Sequence, residues 1–466
     1  MIKGLIPVSG FSQEVLKTYY TPNLIFKNSG EEYLNLYCFI SKIEPWDDEN
    51  VPPLTLDNNF YMKTTYKNLV AIKKINSNDI GAVIERIDWK GGITYSQYSS
   101  NKNLFQLDDS GHLLNKFYVK NSYDQVFKCL SNNATTTNPN GTPSTIEPVI
   151  DFSTNIGNTL IEPGDGYKWK FVYTIDSGAK LKFFDENWIP LPILTNRKTI
   201  GDNIYGAGEI STINVYNSGS NYVDDNATNT TTTVTIVGDG TGASAKAIIS
   251  GNVVSEILMA NTGSNYTYAT AIISPTAGNS GNGSILIAEP SPIGGHGFDL
   301  LQELGCRTVM ITAEFNGTES GTLPDNIDYR QIGLLANPEI IVGTTAQFAN
   351  SSIYRSTQDI TVSAGVGIFV QDEIVYQGKS LEESSFSGRV LNFDSINNIL
   401  YLINTQGNIK LNDVLNGSDS NALRIVLQET VEQIVPFSGN IIYIENRTKV
   451  QRTSTGLEQF RLTLTY

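Results

Sequence analysis

The chain has 466 residues, of which 17 % are charged, 40 % are hydrophobic and 40 are glycines. Its formal charge of −15, from 32 basic and 47 acidic side chains, disfavours broad nucleic-acid binding, because that binding needs Lys and Arg to displace counterions from phosphates. The two histidines, His112 and His296, nearly exclude multi-histidine metal and catalytic sites. At roughly 150 residues per domain, the length predicts about three domains that can each bury a core.

Cysteine usage and hydropathy bear on the compartment and on the partners. Cys38, Cys129 and Cys306 are far apart and form no C-x-x-C pair, which fits folding in a reducing cytoplasm without disulfides. No apolar run reaches the ~18 residues that span a bilayer, and Gly and Pro interrupt the short apolar stretch at the N-terminus, so no secretion signal is predicted. We therefore expect neither a membrane nor a nucleic acid as a partner.

The first 200 residues predict a mixture of helices and strands. Ser12 precedes an apolar pattern typical of a short capped helix, and two further helices are predicted near residues 66–75 and 79–86. Alternation with a period of two predicts strands at 34–38, 117–119, 127–129 and 167–173. Residues 132–148 are rich in Asn, Thr and Pro and predict an exposed loop.

A two-copy repeat occupies residues 205–290. The segments INVYNSGSNY (213–222) and ILMANTGSNY (257–266) are offset by 44 residues, and a β-branched segment and a Gly-rich stretch follow each copy. Gly and Asn favour turns with positive φ, while Val, Ile and Thr favour strands, so an all-β module is predicted. The sequence GDGTG (238–242) is interpreted as a hairpin turn and not as a phosphate loop, because a strand-like segment follows it.

A second all-β module is predicted for residues 341–435. Its four strand candidates are 368–376, 388–393, 399–404 and 422–427. Gly or Asn turns separate these short segments, a pattern typical of a small β-barrel or sandwich.

The candidates for catalysis are weak. To act as a base, His296 in the loop Gly294-Gly295-His296-Gly297 would need an orienting carboxylate and a nucleophile, and no G-x-S-x-G motif supplies the nucleophile, so we interpret this loop as a linker. Acidic pairs such as Asp108-Asp109 are interpreted as solvated loops, because adjacent residues on a strand point to opposite faces. No catalytic, cofactor-binding or metal-binding residue is therefore predicted.

One set of motifs resembles a known family. The segment Ile161-Glu162-Pro163-Gly164-Asp165-Gly166-Tyr167, followed by Trp169, resembles the I-E-P-G-D-G-Y-x-W signature of the dimeric baseplate wedge subunit (gene product eight) of T-even-type contractile-tailed bacteriophages. Further matches in the same order are Glu44-Pro45-Trp46, Ala82-Val83-Ile84 with Arg86 and Asp88-Trp89, Phe127-Lys128-Cys129-Leu130, Arg330-Gln331-Ile332 with Asn337-Pro338, and Ile442-Tyr443-Ile444-Glu445-Asn446-Arg447. The resemblance covers 1–200, 295–340 and 436–466, roughly 60 % of the chain.

The segment patterns together predict a mainly β, multi-domain fold with a few short helices in an α+β core. The wedge-protein core would be discontinuous (1–204, 291–340 and 436–466), and 205–290 and 341–435 would be inserted all-β modules that the family lacks. The function that the resemblance implies is that of a non-enzymatic virion component of the tail baseplate, assembled in the host cytoplasm as a homodimer. Its partners would be other baseplate wedge proteins, with no cofactor and no small-molecule substrate. We expect the signature residues to determine the fold and its interfaces, and Glu445 to pair with Arg447 across one face of a strand.

Two other functions remain open at this point. The Gly/Asn repeat and the 23 tyrosines suit a receptor-binding or fibre-like adhesin, and an acid pair would suit a carbohydrate-active enzyme.

The distribution of charge along the chain leads to a hypothesis about the two modules. Residues 201–300 carry one Lys against eight acidic residues, and 341–435 carry five basic against ten acidic residues. Most of the net charge thus lies in the modules, which we expect to face outward while the near-neutral core makes the contacts.

Overall fold

The computed structural model describes residues 35–154, 159–192, 207–223, 232–273 and 281–465. Within these ranges the chain is mainly β, as predicted, with 27 strands and three short α-helices. The helices are α1 (Asn59–Lys67), α2 (Ser177–Phe183) and α3 (Leu300–Glu303), and a 3-10 turn spans Ser77–Asp79. The helix predicted after Ser12 lies outside the described residues.

The strands follow one another with few interruptions. Up to residue 290 they are β1 (Leu36–Ser41), β2 (Leu69–Lys74), β3 (Ile80–Glu85), β4 (Tyr118–Lys120), β5 (Gln125–Ser131), β6 (Leu160–Ile161), β7 (Lys168–Thr174), β8 (Trp188–Pro190), β9 (Ile210–Ser220), β10 (Thr232–Gly238), β11 (Thr241–Ser250), β12 (Val253–Ser264), β13 (Ala269–Ile273) and β14 (Asn282–Pro290). After it they are β15 (Thr308–Asn316), β16 (Asp328–Ala336), β17 (Glu339–Val342), β18 (Thr345–Phe348), β19 (Ile353–Arg355), β20 (Gln358–Val362), β21 (Ile374–Gln377), β22 (Phe386–Asp394), β23 (Ile399–Gly407), β24 (Val414–Gly417), β25 (Leu423–Thr430), β26 (Asn440–Gln451) and β27 (Leu457–Thr465).

The described chain divides into two compact units. The first comprises 81–310 with 464–465, and the second comprises 35–80 with 311–463. The first unit contains a four-stranded sheet (β4-β5-β7-β6) and a six-stranded sheet (β12-β11-β10-β13-β14-β9). The second contains a five-stranded sheet (β19-β2-β1-β16-β26), the β17–β18 hairpin and a closed barrel (β20-β23-β22-β21-β24-β25). The core expected from the resemblance contributes residues to both units.

The two predicted helices at 66–75 and 79–86 are wrong. The first of these segments forms β2 and the second forms β3, and the helix α1 lies just before them, capped by the side chain of Asn58. In β3 the first five residues are all buried, as are the first four of β2. A short apolar run that is buried on both faces carries no period of two, so its pattern does not separate a strand from a helix.

The six-stranded sheet lies within the residues of the predicted repeat. Asn221 and Asn265, which occupy the same place in the two copies, have φ of 60° and 62°, as expected for Asn in tight turns. The tyrosine that follows each Asn is buried against a glycine. A Cβ on Gly281 would lie 2.1 Å from the ring of Tyr222, and one on Gly240 would lie 2.4 Å from the ring of Tyr266. The β10–β11 hairpin confirms that GDGTG is a turn.

These tyrosine–glycine contacts give a prediction for the repeat. We expect Gly281→Ala to lower the free energy of unfolding by about 1–3 kcal/mol, because the added methyl would overpack the ring of Tyr222. Thermal unfolding followed by circular dichroism measures the effect. Gly91→Ala is the matched control, since its Cβ would meet nothing closer than 3.5 Å. Equal melting temperatures for the two variants would contradict the close packing of the Tyr222 ring against Gly281.

Within the module predicted at 341–435, residues 358–430 form a six-stranded closed barrel, whereas β18 and β19 lie outside it. Three of the four strand candidates match β22, β23 and β25, whereas the candidate at 368–376 becomes a strand only at β21. The sequence missed β20 and β24, which are five and four residues long. The barrel interior is apolar, with the side chains of Leu400, Leu402, Leu415, Val390 and Val426 fully buried.

Candidate functional site

The Ile161–Tyr167 motif forms a turn that holds a neighbouring loop in the first unit. The carboxylate of Asp165 accepts four hydrogen bonds, from Ser144 Oγ (3.0 Å), Thr145 N (2.8 Å), Ile146 N (3.1 Å) and Tyr167 N (3.1 Å). Burial alone would raise the pKa of this carboxyl, but these donors hold it below its usual range. Gly166 has φ of +85°, and a Cβ there would lie 2.3 Å from Asn133 Oδ1. The motif therefore fastens the predicted 132–148 loop, which is irregular but partly buried.

The aromatic residues of this motif are core residues. Tyr167 stacks on Trp169, with ring centroids 5.3 Å apart and planes 15° apart, and both side chains are fully buried. Tyr95 meets both rings edge-on, and its backbone N–H donates to the Tyr167 hydroxyl over 3.1 Å. The indole of Trp89 donates to Ser144 Oγ over 3.1 Å. These aromatic rings therefore build the interior and do not line an open groove.

The remaining signature residues of the first unit lie in β6, in the turn that follows it and just after β3. Ile161 pairs with Trp169 between β6 and β7. The Glu162 carboxylate is 3.3 Å from Lys168 Nζ, and Pro163 leads into Gly164, whose φ is +104°. Asp88 contacts Arg86 at 2.8 Å and Lys120 at 3.2 Å. Although burial would raise the pKa of Asp88, these two cations lower it.

In the second unit, three motifs that are far apart in sequence meet in one polar network. Asn446 Oδ1 accepts from Gln331 Nε2 (2.9 Å) and from the Tyr61 hydroxyl (2.8 Å). Its Nδ2 donates to the carbonyl of Pro53 over 2.8 Å. The indole Nε1 of Trp46 donates to the carbonyl of Arg447 over 2.8 Å. The segments around residues 45, 331 and 446 are thereby joined by side-chain hydrogen bonds, to another side chain at Gln331 and to a backbone carbonyl at Trp46.

Neighbouring signature residues extend this network. Arg330 is buried, contacts the Glu49 carboxylate at 2.7 Å and donates to the carbonyl of Ile43. Glu44, which precedes Pro45, contacts Arg389 at 2.7 Å. The expected pair of Glu445 and Arg447 is present at 2.9 Å, and the hydroxyl of Tyr443 donates to Glu445 over 2.9 Å. Asn337, just before Pro338, has φ of +50° and accepts from Asn35 N over 2.7 Å.

The network anchors an exposed apolar segment, 51–60, which we call the arm. Its residues Val51, Leu54, Leu56 and Phe60 are 69 %, 89 %, 57 % and 80 % exposed. Glu49 holds the chain just before the arm, Asn446 holds Pro53 within it, and Tyr61 holds it just after. Fixed at three points, the arm presents apolar side chains to solvent. Such side chains, when they are grouped, are typical of binding surfaces.

The first unit also contains a buried charged cluster that the sequence did not predict. Glu303 Oε1 lies 3.0 Å from Lys128 Nζ and 2.8 Å from His296 Nδ1, while its Oε2 accepts from Gly297 N over 2.6 Å. The three side chains are at most 2 % exposed. Lys128 Nζ also sits 3.6 Å from the ring centre of Tyr98. The loop that contains His296 does join β14 to α3, as predicted, but the sequence did not indicate that a carboxylate seven residues later holds His296 in the interior.

Protonation in this cluster follows from its burial. Burial lowers the pKa of His296 to about 4, and the positive charge of Lys128 adds to this effect. Burial would raise the pKa of Glu303, but Lys128 and the hydrogen bond from His296 hold it at about 2. Burial also lowers the pKa of Lys128, against the opposing charge of Glu303. The arrangement is a lysine–glutamate ion pair with a neutral imidazole beside it.

A cleft of about 640 Å³ borders this cluster and is lined by Lys128, Glu303 and Tyr98, among others. Two hydroxyls at the cleft, those of Ser99 and Ser100, each donate to the Glu289 carboxylate over 2.6 Å. The Tyr98 hydroxyl donates to the carbonyl of Pro290 over 3.3 Å. These three hydroxyls are thus hydrogen-bonded to groups other than His296.

The cluster predicts a pH dependence of stability. Between pH about 6.5 and about 4 the unfolded chain binds a proton at His296 that the folded chain does not, so stability is lost as the pH falls through this window. We expect this residue to account for about 2–3 kcal/mol of that loss. Urea unfolding from pH 7 to pH 4 measures it. His296→Gln should flatten the dependence, and a slope equal to that of the wild type would contradict the assignment.

No protein-family model matches the chain, and no curated protein matches it with significant similarity. In the part of the chain that the structure describes, no helix is long and apolar enough to cross a membrane. The same residues contain no group of three or more His, Cys, Asp or Glu placed to hold a metal ion. Cys38, Cys129 and Cys306 are free and buried.

Proposed function

We propose that the chain is a structural component of a phage contractile-tail baseplate wedge. It would act as a homodimeric scaffold that binds neighbouring wedge proteins during assembly and repacks those interfaces during contraction. The observation that carries the proposal is the network in the second unit. Three motifs of the resemblance, around residues 45, 331 and 446, meet there and fix the arm.

The arm has the physical properties of a docking segment. Its apolar side chains lose contact with water when a partner covers them, and this burial is the main driving force of association. Because the network anchors the arm at Pro53 and at both ends, we expect binding to cost less conformational entropy than it would for an unanchored segment. Pro52 and Pro53 restrict the backbone further. A pre-ordered apolar segment suits permanent assembly.

The environment of the signature residues also favours a structural role. Asp165, Tyr167, Gln331 and Asn446 all use their polar atoms in hydrogen bonds within the protein. Asp88 and Arg330 are engaged in ion pairs. Side chains whose polar atoms bond within the protein stabilise loops and strands. This is what we expect of residues that determine the fold and its interfaces. Location in the virion, without a cofactor or a small-molecule substrate, is part of the same proposal.

The arm provides the experiment. We expect the double variant Leu54→Ser/Phe60→Ser to weaken either self-association or binding to a purified wedge protein of the same phage at least about tenfold, because central apolar contacts dominate interface energies. Sedimentation velocity and biolayer interferometry measure the two interactions.

Ile396→Ser is the matched control, since Ile396 is 89 % exposed, as is Leu54, but lies in the turn between β22 and β23. Circular dichroism should show that all variants fold alike. If the arm variant and the control bind equally well to every partner, the arm is not a docking segment.

A further inference from the structure

The barrel of the second unit has an apolar patch on its outer surface. We define the barrel patch as Val366, Val414, Leu423, Ile425 and Leu427, which are 42–70 % exposed. Leu423, Ile425 and Leu427 alternate along β25 with the buried Arg424 and Val426. Residues two apart on a regular strand share a face, so Leu423 and Ile425 point outward together. Leu427, where the pairing of β25 with β20 shifts register, is exposed as well.

Strand pairing joins the other two residues to this row. Ile425 is the direct partner of Val414 on β24, and Leu423 forms a bridge with Val366. The bridge is closed by two backbone hydrogen bonds, of 3.0 and 3.2 Å. The five side chains are therefore neighbours on a rigid, closed sheet. The barrel interior does not need them, because its own apolar core is complete beneath them. A contiguous apolar surface of this kind marks an interaction site.

The charges at the rim indicate which partner fits. Between 410 and 432 the chain carries the acidic residues Asp413, Asp419, Glu429 and Glu432. Asp413 directly precedes Val414, and Asp419 lies in the turn between β24 and β25. Lys410 is the exposed basic residue of the same stretch, since Arg424 is only 9 % exposed and donates to the carbonyls of Ser363 and Gly367. A second copy of the chain would bring like charges together at this rim.

We propose that the barrel patch binds a neighbouring wedge protein through a surface with an apolar centre and a rim of Lys and Arg. This inference rests on the proposed function and adds a second docking surface, on the module for which the resemblance implies nothing. The apolar centre would supply most of the affinity, and the acidic rim would disfavour self-association through this patch and speed encounter with the basic partner. The acidity of the module would then serve recognition as well as solubility.

The test compares the wild-type chain with Leu423→Ser/Ile425→Ser, using the purified wedge proteins of the same phage one at a time. We expect the variant to bind one of them at least about tenfold more weakly, and Asp413→Asn/Asp419→Asn to bind it about threefold more weakly at low salt. The control is Ile272→Ser/Ile285→Ser, two strand residues of the other module that are 54 % and 46 % exposed. The control should bind like the wild type.

The outcomes separate this inference from the proposed function. If the wild type binds wedge proteins and the Leu423/Ile425 variant binds each of them equally well, the barrel patch is not a docking site, although the proposed function stands. If the wild type binds none of them, the proposed function fails and the inference fails with it. Loss of the chain's own dimer in the variant would assign the patch to a second copy. Sedimentation of the wild type, but not the variant, with phosphatidylcholine vesicles would assign it to lipid. Either result would overturn the inference.

Discussion

Replacing Lys128 by Met is expected to lower the free energy of unfolding by about 3–5 kcal/mol, the cost of breaking a buried ion pair from one side. Glu303 would keep its contacts with His296 and the N–H of Gly297 but would lose the cation 3.0 Å from its Oε1. With almost no access to water, the remaining carboxylate would have only those two hydrogen-bonding contacts, and no counter-ion, to stabilise its charge. Chemical denaturation at pH 7 measures the loss.

The double variant Lys128→Met/Glu303→Gln separates the charge from the packing. Because it removes both charges, its loss should be smaller than the sum of the two single losses, and the difference is the coupling energy of the pair. Arg447→Met provides the control, since its ion pair with Glu445 is partly exposed and is worth only about 0–1 kcal/mol. If the double variant loses as much free energy of unfolding as the two single variants together, the two side chains are not coupled, and the buried ion pair is contradicted.

Replacing Trp169 by Ala is expected to lower the free energy of unfolding by about 3–5 kcal/mol, because it removes a buried indole ring and leaves a cavity. The side chain is fully buried, stacked on Tyr167 at 5.3 Å and met edge-on by Tyr95 at 5.5 Å. The loss would spread to the turn at Asp165, because that carboxylate also accepts from the N–H of Tyr167. Hydrogen exchange of the loop amides at Thr145 and Ile146 should then accelerate.

An exposed aromatic residue provides the control, because its replacement removes a ring without removing buried contacts. Tyr123 is 65 % exposed, and Tyr123→Ala should change the free energy of unfolding by less than about 0.5 kcal/mol. If Trp169→Ala proves equally mild, or if the loop amides exchange as in the wild type, the signature does not act as a fold determinant. The first unit would then need another explanation for the resemblance motif.

Local patterns predicted the β-rich character of the chain, and the exceptions have physical causes. The repeat could be recognised in the sequence because each copy has an Asn in a tight turn followed by a tyrosine. In the structure that tyrosine packs against a glycine, as Tyr222 does against Gly281. The two wrong helices arose at β2 and β3, where burial on both faces removes the alternation that identifies a strand. The strands β20 and β24 are too short to show a pattern of their own.

The candidate sites were less predictable, because they depend on contacts between distant residues. The Glu445–Arg447 pair could be expected, since two residues apart on a strand lie on one face. By contrast, the Asn446 amide meets Gln331 across 115 residues and Tyr61 across 385, which no local pattern indicates. Lys128 and Glu303 are 175 residues apart. The sequence singled out His296, but it did not show which carboxylate would hold it.

The most direct test of the proposed function is the mass of the purified chain in solution, alone and after mixing with the other wedge proteins of the same phage. Sedimentation velocity measures both. A baseplate wedge scaffold predicts a dimer alone and a heavier, defined complex in the mixture. A fibre-like adhesin would sediment as a trimer. A chain that sediments as a monomer or trimer, and forms no complex with any wedge protein, would contradict the proposed function.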